Sequence, residues 1–212
     1  MGKRPVETTL YSLSNQPPAQ QPERRDDERH MTLFRVGTLI VGDRRDLCLI
    51  KNISAGGLML RRYCQLHVGQ RIAVELKTGQ PIAGSVSWVG ESQAGMAFDQ
   101  PIDVLSILAT DEEGPRPRMP RIETQAAVYV RAGAQTWRLQ CCDVSQGGVK
   151  LVAAAPLTAG SDVVVTLSGL PPQPGVVRWS AGEHAGISFN RPLSLTDLVG
   201  WLQGQRDSSR AA

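Results

Sequence analysis

One short phrase occurs twice in the chain, NISAGG at residues 52–57 and DVSQGG at 143–148, and the register it sets reaches far beyond itself. With Asn52 set on Asp143, an ungapped comparison through Pro101 and Pro192 finds about 16 identities in about 50 positions. They include Ser54/Ser145, Gly56/Gly147, Gly57/Gly148, Leu66/Leu157 and Gly69/Gly160, then Gly84/Gly175, Val86/Val177, Trp88/Trp179, Gly95/Gly186 and Phe98/Phe189. Shared composition does not bring glycines, apolar residues and turns into one register, so the chain is a tandem duplication. Its 212 residues, 41% of them hydrophobic, suffice for two domains of roughly 90 to 100 residues, each with its own core.

Within each copy the apolar runs are short and β-like. The first reads LFRVGTLIV, DLCLIK, GLMLR, RIAVEL, AGSVSWV and AGMAF; the second reads AAVYV, TWRLQCC, GVKLV, DVVVTL, GVVRW and AGISF. Alternation in RIAVEL and SVSWV gives one dry and one wet face, and turn residues separate the runs at the intervals of a small barrel. After the last run of each copy come PIDVLSILA and PLSLTDLVGWL, apolar at helical spacing and opening on Pro101 and Pro192, residues suited to a helix start. The expected fold is mainly β: two tandem six-stranded antiparallel β-barrels, each followed by a short α-helix. The expected organisation is a disordered tail over 1–22, rich in Gln, Pro and Ser; a first domain over 23–110; a linker over 111–120, dense in charge and proline; a second domain over 115–205 that takes in the linker arginines; and a flexible C-terminus over 206–212.

Several classes of function find no support in these residues. A net charge of +3 is too small for a duplex wrapper, and without a broad basic stripe or exposed aromatic pairs neither DNA nor RNA is an expected partner. Cys48, Cys64, Cys141 and Cys142 show neither C-x-x-C spacing nor a histidine cluster, so they read as buried, reduced thiols and no metal is expected. No run approaches the roughly 18 apolar residues of a membrane span, and the first thirty residues lack a signal peptide's apolar core; no membrane partner and a cytoplasmic location are expected. His30, His67 and His184 are scattered, and no catalytic triad, H-E-x-x-H or phosphate-binding loop is present, so the chain does not read as an enzyme. Trp88 and Trp179 lie on apolar alternation and are expected in the core rather than as stacking platforms.

What remains is the repeated phrase. An Asx and a serine before glycines commonly close a turn by bonding their own backbone. The joint spacing adds more, because Arg29 precedes Asn52 by 23 residues and Arg121 precedes Asp143 by 22, each followed by a strand able to return it to the turn. The pattern [DN]-x-S-x-x-G after a strand, an upstream arginine pair, and a later G-x-V-x-W and A-G-x-x-F resembles the PilZ domain, a bacterial receptor module for cyclic di-GMP. The resemblance spans residues 24–110 and 115–204. In the first copy it selects Arg25 and Arg29 in R-x-x-x-R spacing with Asn52, Ser54, Gly56 and Gly57; in the second, Asp143, Ser145, Gly147 and Gly148 with Arg121 and either Arg116 or Arg118 from RPRMPR.

The ligand that the resemblance implies carries two phosphodiester charges and two guanines. An arginine can fork onto a phosphate or onto guanine O6 and N7, or stack on a base, where lysine offers a point charge. Asp143 or Asn52 can accept from guanine N–H groups, the serines can meet a phosphate or base edge, and glycine lets backbone approach closely. The RRDDERH run sets Asp26, Asp27 and Glu28 among the first copy's arginines, whereas RPRMPR is undiluted, so local charge favours the second copy while the arginine spacing favours the first. The implied function is a receptor for cyclic di-GMP, with no cofactor, that converts ligand level into a change of domain arrangement acting on an unidentified protein partner. The alternative is an adaptor that keeps the barrels without the ligand.

Overall fold

The computed structural model describes residues 31–76, 80–108, 119–153 and 155–211. The expected tail over 1–22 and the linker residues 111–118 lie outside them. The first copy contributes β1 (Met31–Val41), β2 (Arg44–Ser54), β3 (Gly57–Arg61), β4 (Arg71–Glu75), β5 (Pro81–Val89), β6 (Gln93–Phe98) and α1 (Val104–Leu108). The strands close into an antiparallel barrel in the order β1-β2-β3-β6-β5-β4, shut by the pairing of Leu39 with Val74. The second copy contributes β7 (Ile122–Glu123), β8 (Ala127–Ala132), β9 (Gln135–Ser145), β10 (Gly148–Val152), β11 (Asp162–Leu167), β12 (Gln173–Ala181), β13 (His184–Phe189) and α2 (Leu195–Ala211). Here β8-β9-β10-β13-β12-β11 closes the same way through Val165 and Val130, and β7 adds to β9.

The alternation that predicts the strands is the alternation that fills the barrels. In β4 and β11 every second residue is buried: Ile72 and Val74 in the first barrel, Val163, Val165 and Leu167 in the second. Leu39, Ile50, Leu60 and Val86 complete one core, and Val130, Leu151, Val177 and Ile187 the other. Each such side chain contributes about 1.5–3 kcal/mol on leaving water. The opening hairpin of each copy turns on one left-handed glycine, Gly42 (φ 59°) and Gly133 (φ 58°), as a tight hairpin requires.

One sequence expectation needs correction. The helices do not begin at Pro101 and Pro192 but three residues later, where short polar side chains cap them. Asp103 Oδ1 accepts from the amides of Leu105 (3.0 Å) and Ser106 (3.3 Å), and Ser194 Oγ accepts from the amide of Asp197 (3.0 Å). The cap, which satisfies orphan N–H groups, sets the start rather than the proline. The copies also differ at their first strand. Ile122 and Glu123 pair with Val144 and Asp143 as Met31 and Thr32 pair with Ile53 and Asn52, so β7 is the detached front of a strand that is continuous but irregular between Thr32 and Arg35 in the first barrel.

The copies meet along α2, which runs on through Ala211, past residue 205 where the sequence expectation ends the second domain. Leu47, Val36 and Tyr63 of the first copy join the apolar cluster containing Val199 and Leu202. Around that seam Arg206 bonds Asp46 and donates to the carbonyl of Arg45 (2.6 Å), Gln203 bonds the carbonyl of Tyr63, and Arg44 pairs with Asp46 at 2.7 Å.

Candidate functional site

In the second copy the chain arrives at the repeated phrase through an irregularity. Opposite β10, Lys150 faces Asp143 but Leu151 faces Cys141, leaving Cys142 unpaired in register; opposite β3, Leu60 faces Ile50 and Met59 faces Asn52, leaving Lys51 in the same position. Such bulges bend a strand and re-aim the next side chain, here Asp143 and Asn52. Sequence periodicity gives no sign of them. β7 then lays its short ladder along β9, and Arg121, the residue before β7, reaches Asp143 with 2.5 Å between Nη1 and Oδ1. Its side chain is 45% exposed and that of Asp143 19% exposed, so the pair stands at the surface facing outward. The prediction that a following strand returns Arg121 to the turn matches this geometry.

The serines and glycines of the phrase are occupied with folding. Ser145 Oγ donates to the Gly148 carbonyl (3.3 Å) and Ser54 Oγ to the Gly57 carbonyl (3.2 Å), so each hydroxyl closes its own turn. Ser145 is buried at 3% exposure, turned away from any ligand on the surface, whereas Ser54 is half-buried. A Cβ at Gly57 would stand 2.4 Å from the carbonyl oxygen of Met96, and one at Gly148 2.2 Å from that of Ile187; these glycines permit β3 to approach β6 and β10 to approach β13. Gly147 instead faces Met119, the first described residue of the linker, at 3.0 Å from its sulfur. Gly56 lies half-buried between Ser54 and Gly57. Arg25, Arg29, Arg116 and Arg118 lie outside the described residues.

The tryptophans depart from expectation. Trp88 is 43% and Trp179 41% exposed, although alternation from Val86 and Val177 would turn both inward. A register shift between Val86 and Trp88, repeated between Val177 and Trp179, reverses the faces. Each indole lies on a glycine of the neighbouring strand: a Cβ at Gly95 would be 2.0 Å from Trp88 Nε1, and one at Gly186 2.2 Å from Trp179 Nε1. In the first copy Trp88 lines a cavity of about 260 Å³ together with Asn52, Ser54, Gly56, Gly57 and Gly95. A partly exposed aromatic side chain therefore stands beside the Asx of the turn. The larger cavity of about 660 Å³, lined by Leu76, Ile82, Pro101 and Ile107, lies at the α1 end and holds none of the repeated phrase.

The cysteines divide by depth. Cys48 and Cys141 are buried, while Cys64 and Cys142 are half-buried rather than enclosed as the sequence suggests; all four are free. Burial pushes the thiols of Cys48 and Cys141 up to about 12, helped by the nearby Cys64 and Asp143 respectively. Burial also raises Cys64, with Asp46 adding to it. Buried and held in the thiol form, Cys48 and Cys141 pack as small apolar residues. No group of three or more His, Cys, Asp or Glu side chains suited to a metal occurs among the described residues, and no described helix is long and apolar enough to cross a membrane.

Two closed barrels, each with an Asx-x-Ser-x-Gly-Gly turn re-aimed by a bulge beside an exposed tryptophan, define a duplicated β-barrel module with a polar site at one turn of each unit. The chain belongs to the PilZ domain family, whose match covers residues 23–109 and again 115–203. Among solved structures it is similar to the Borreliella burgdorferi PlzA protein in complex with c-di-GMP (11% identity, 79% of this chain and 86% of that one, TM-score 0.36). It is also similar to Escherichia coli YcgR in complex with c-di-GMP (14%, 84% and 88%, 0.34) and to the Bacillus subtilis inhibitor of motility MotI/DgrA (15%, 85% and 99%, 0.34). These are distant likenesses of whole chains, and the family assignment rests on the match to both barrels. No curated protein matches the chain.

Proposed function

We propose that the protein is a cytoplasmic receptor for cyclic di-GMP, not an enzyme, and that the second copy carries the stronger site. The observation that carries this reading is the surface pair of Arg121 and Asp143 at 2.5 Å beside the DVSQGG turn. It joins a guanidinium fork, which suits a phosphate or guanine O6 and N7, to a carboxylate, which suits guanine N–H donors. Opening an exposed ion pair costs about 1 kcal/mol or less. A charge-assisted bond to a phosphate returns about 1.5–3 kcal/mol, so the resting pair does not bar a ligand. Trp179 offers a base face on the same barrel, and Arg116 or Arg118 a second guanidinium. In the first copy Asn52, Ser54, Gly56, Gly57 and Trp88 with Arg25 and Arg29 form the weaker counterpart, because Asn52 carries no charge and acids dilute its arginines.

The chain is organised in this reading as two receptor domains joined by the linker at 111–120, and ligand binding alters how the domains are held and so what protein partner they meet. The family match to both copies and the outward-facing ion pair support it. Calorimetric titration with cyclic di-GMP, with GTP and cyclic GMP as controls, tests it: micromolar or tighter binding is expected, lost most in Arg121→Ala. No heat and no thermal shift at ligand excess would leave only the adaptor role.

A further inference from the structure

The turn of the second copy does something that its twin does not. In both copies the backbone after the last strand returns to the turn: the amide of Ile102 donates to the Ala55 carbonyl (2.9 Å), and the amide of Leu193 donates to the Gln146 carbonyl (2.8 Å). Only in the second does a side chain answer, because Gln146 Nε2 donates to the Leu193 carbonyl at 2.9 Å, whereas alanine stands at the matching position 55. Leu193 is buried, and the next residue, Ser194, caps α2. From there α2 is a continuous helix of 17 residues whose far half grips the first barrel, through Gln203 on Tyr63 and Arg206 on Asp46 and the Arg45 carbonyl. Asp46 is only 8% exposed and also pairs with Arg44, so the grip falls on a buried charge. A carboxylate so enclosed favours keeping both cationic partners, Arg206 from the helix and Arg44 from its own barrel, so the grip of α2 is held by charge as well as by packing.

We propose that Gln146 is the coupling residue of this protein: the position of the DVSQGG turn is tied through Gln146 and Leu193 to α2, and through α2 to the hold on the first barrel. This rests on the reading of that turn as a ligand site. A ligand seated on Asp143 and Gly147 shifts the turn, the paired hydrogen bonds at Leu193 carry the shift to a rigid helix, and the helix loosens or tightens at Asp46. Neither the linker nor a contact between ligand and first barrel is needed. By linkage the effect runs both ways, so weakening the grip must change affinity at the turn.

A double-mutant cycle on the full chain tests this. Arg206→Ala is expected to change the cyclic di-GMP dissociation constant about 5-fold or more in the native background, and less than about 2-fold when Gln146 is also Ala or Met. Alanine at this position is compatible with the fold, since Ala55 occupies it in the first barrel, and Met keeps the bulk while removing the donor. Equal effects of Arg206→Ala in all three backgrounds, or coupling retained by Met, overturn the proposal. Hydrogen exchange of the ligand-free protein separates it from the ligand reading. Arg206→Ala is expected to speed exchange at the amides of Gly147 and Gly148, and Gln146→Ala to abolish that response. If no variant binds cyclic di-GMP, the receptor reading fails while this exchange pattern upholds the coupling; an exchange pattern unchanged by Arg206→Ala overturns the coupling whatever the ligand does.

Discussion

The two barrels share topology, hairpin glycines, bulges and outward tryptophans, yet they are finished differently. After β6 the first copy has α1, five residues long, whose Ile107 is half-buried; after β13 the second has α2, whose Leu198 is fully buried and whose Trp201 donates its indole N–H to the Ser168 carbonyl at 2.9 Å. The second also spends its helix on the first, through Leu47 and Asp46. A duplicated core is cheap to keep because both copies bury the same strand faces. What diverges is the material outside the barrel, above all the length of the closing helix and what it touches.

The largest test of this asymmetry is in the cores beneath the helices. Leu198→Ala is expected to lower stability by about 3 kcal/mol, as for a fully buried leucine, and Ile107→Ala by about 1 kcal/mol. Urea unfolding that gives equal losses would mean that the two helices close their barrels equally well. Next comes the ligand site: Arg121→Ala is expected to weaken cyclic di-GMP about 10-fold or more, roughly the 1.4 kcal/mol of one charge-assisted contact, and Arg29→Ala less. The reverse order by calorimetry would move the principal site to the first copy. Intrinsic fluorescence sharpens the same point, since ligand is expected to quench in Trp88→Phe but far less in Trp179→Phe.

Cys48 and Cys141 allow a test in which the barrels should agree. Each folded thiol is raised to about 12 from an ordinary 9.0, so above pH 9 the folded state holds protons that the unfolded state has released. Their contribution is complete below pH 9 and is lost as pH rises toward 12, by at most about 1.4 kcal/mol per pH unit for each thiol. Urea midpoints are expected to fall over that window, and less steeply in Cys48→Ala and Cys141→Ala alike; an unchanged slope in either would show that thiol to be accessible. The smallest effect concerns the caps. Ser194→Ala is expected to cost about 1 kcal/mol, and Asp103→Ala less because the helix it starts is short; equal losses by thermal unfolding would erase that distinction.

The duplication, the twelve barrel strands and the Asx-x-Ser-x-Gly-Gly turns are legible in the residues themselves, because period-2 alternation and turn glycines are local properties that survive translation by 91 positions. The spacing of Arg121 from Asp143 leaves room for the chain to return to the turn, but their contact is set by the β8–β9 hairpin and by the pairing of β7 with β9. Other features depend on partners distant in the chain. A single unpaired residue, Lys51 or Cys142, aims the Asx, and one more shift turns Trp88 and Trp179 to the surface, yet a bulge is defined only by the strand opposite. Ser145 reads as a ligand contact until the fold buries it over Gly148. The hold of Arg206 on Asp46 joins residues 160 apart in sequence, and the bond from Gln146 to Leu193 spans 47. No local periodicity encodes such pairs, because only closure of both barrels brings their backbones within reach.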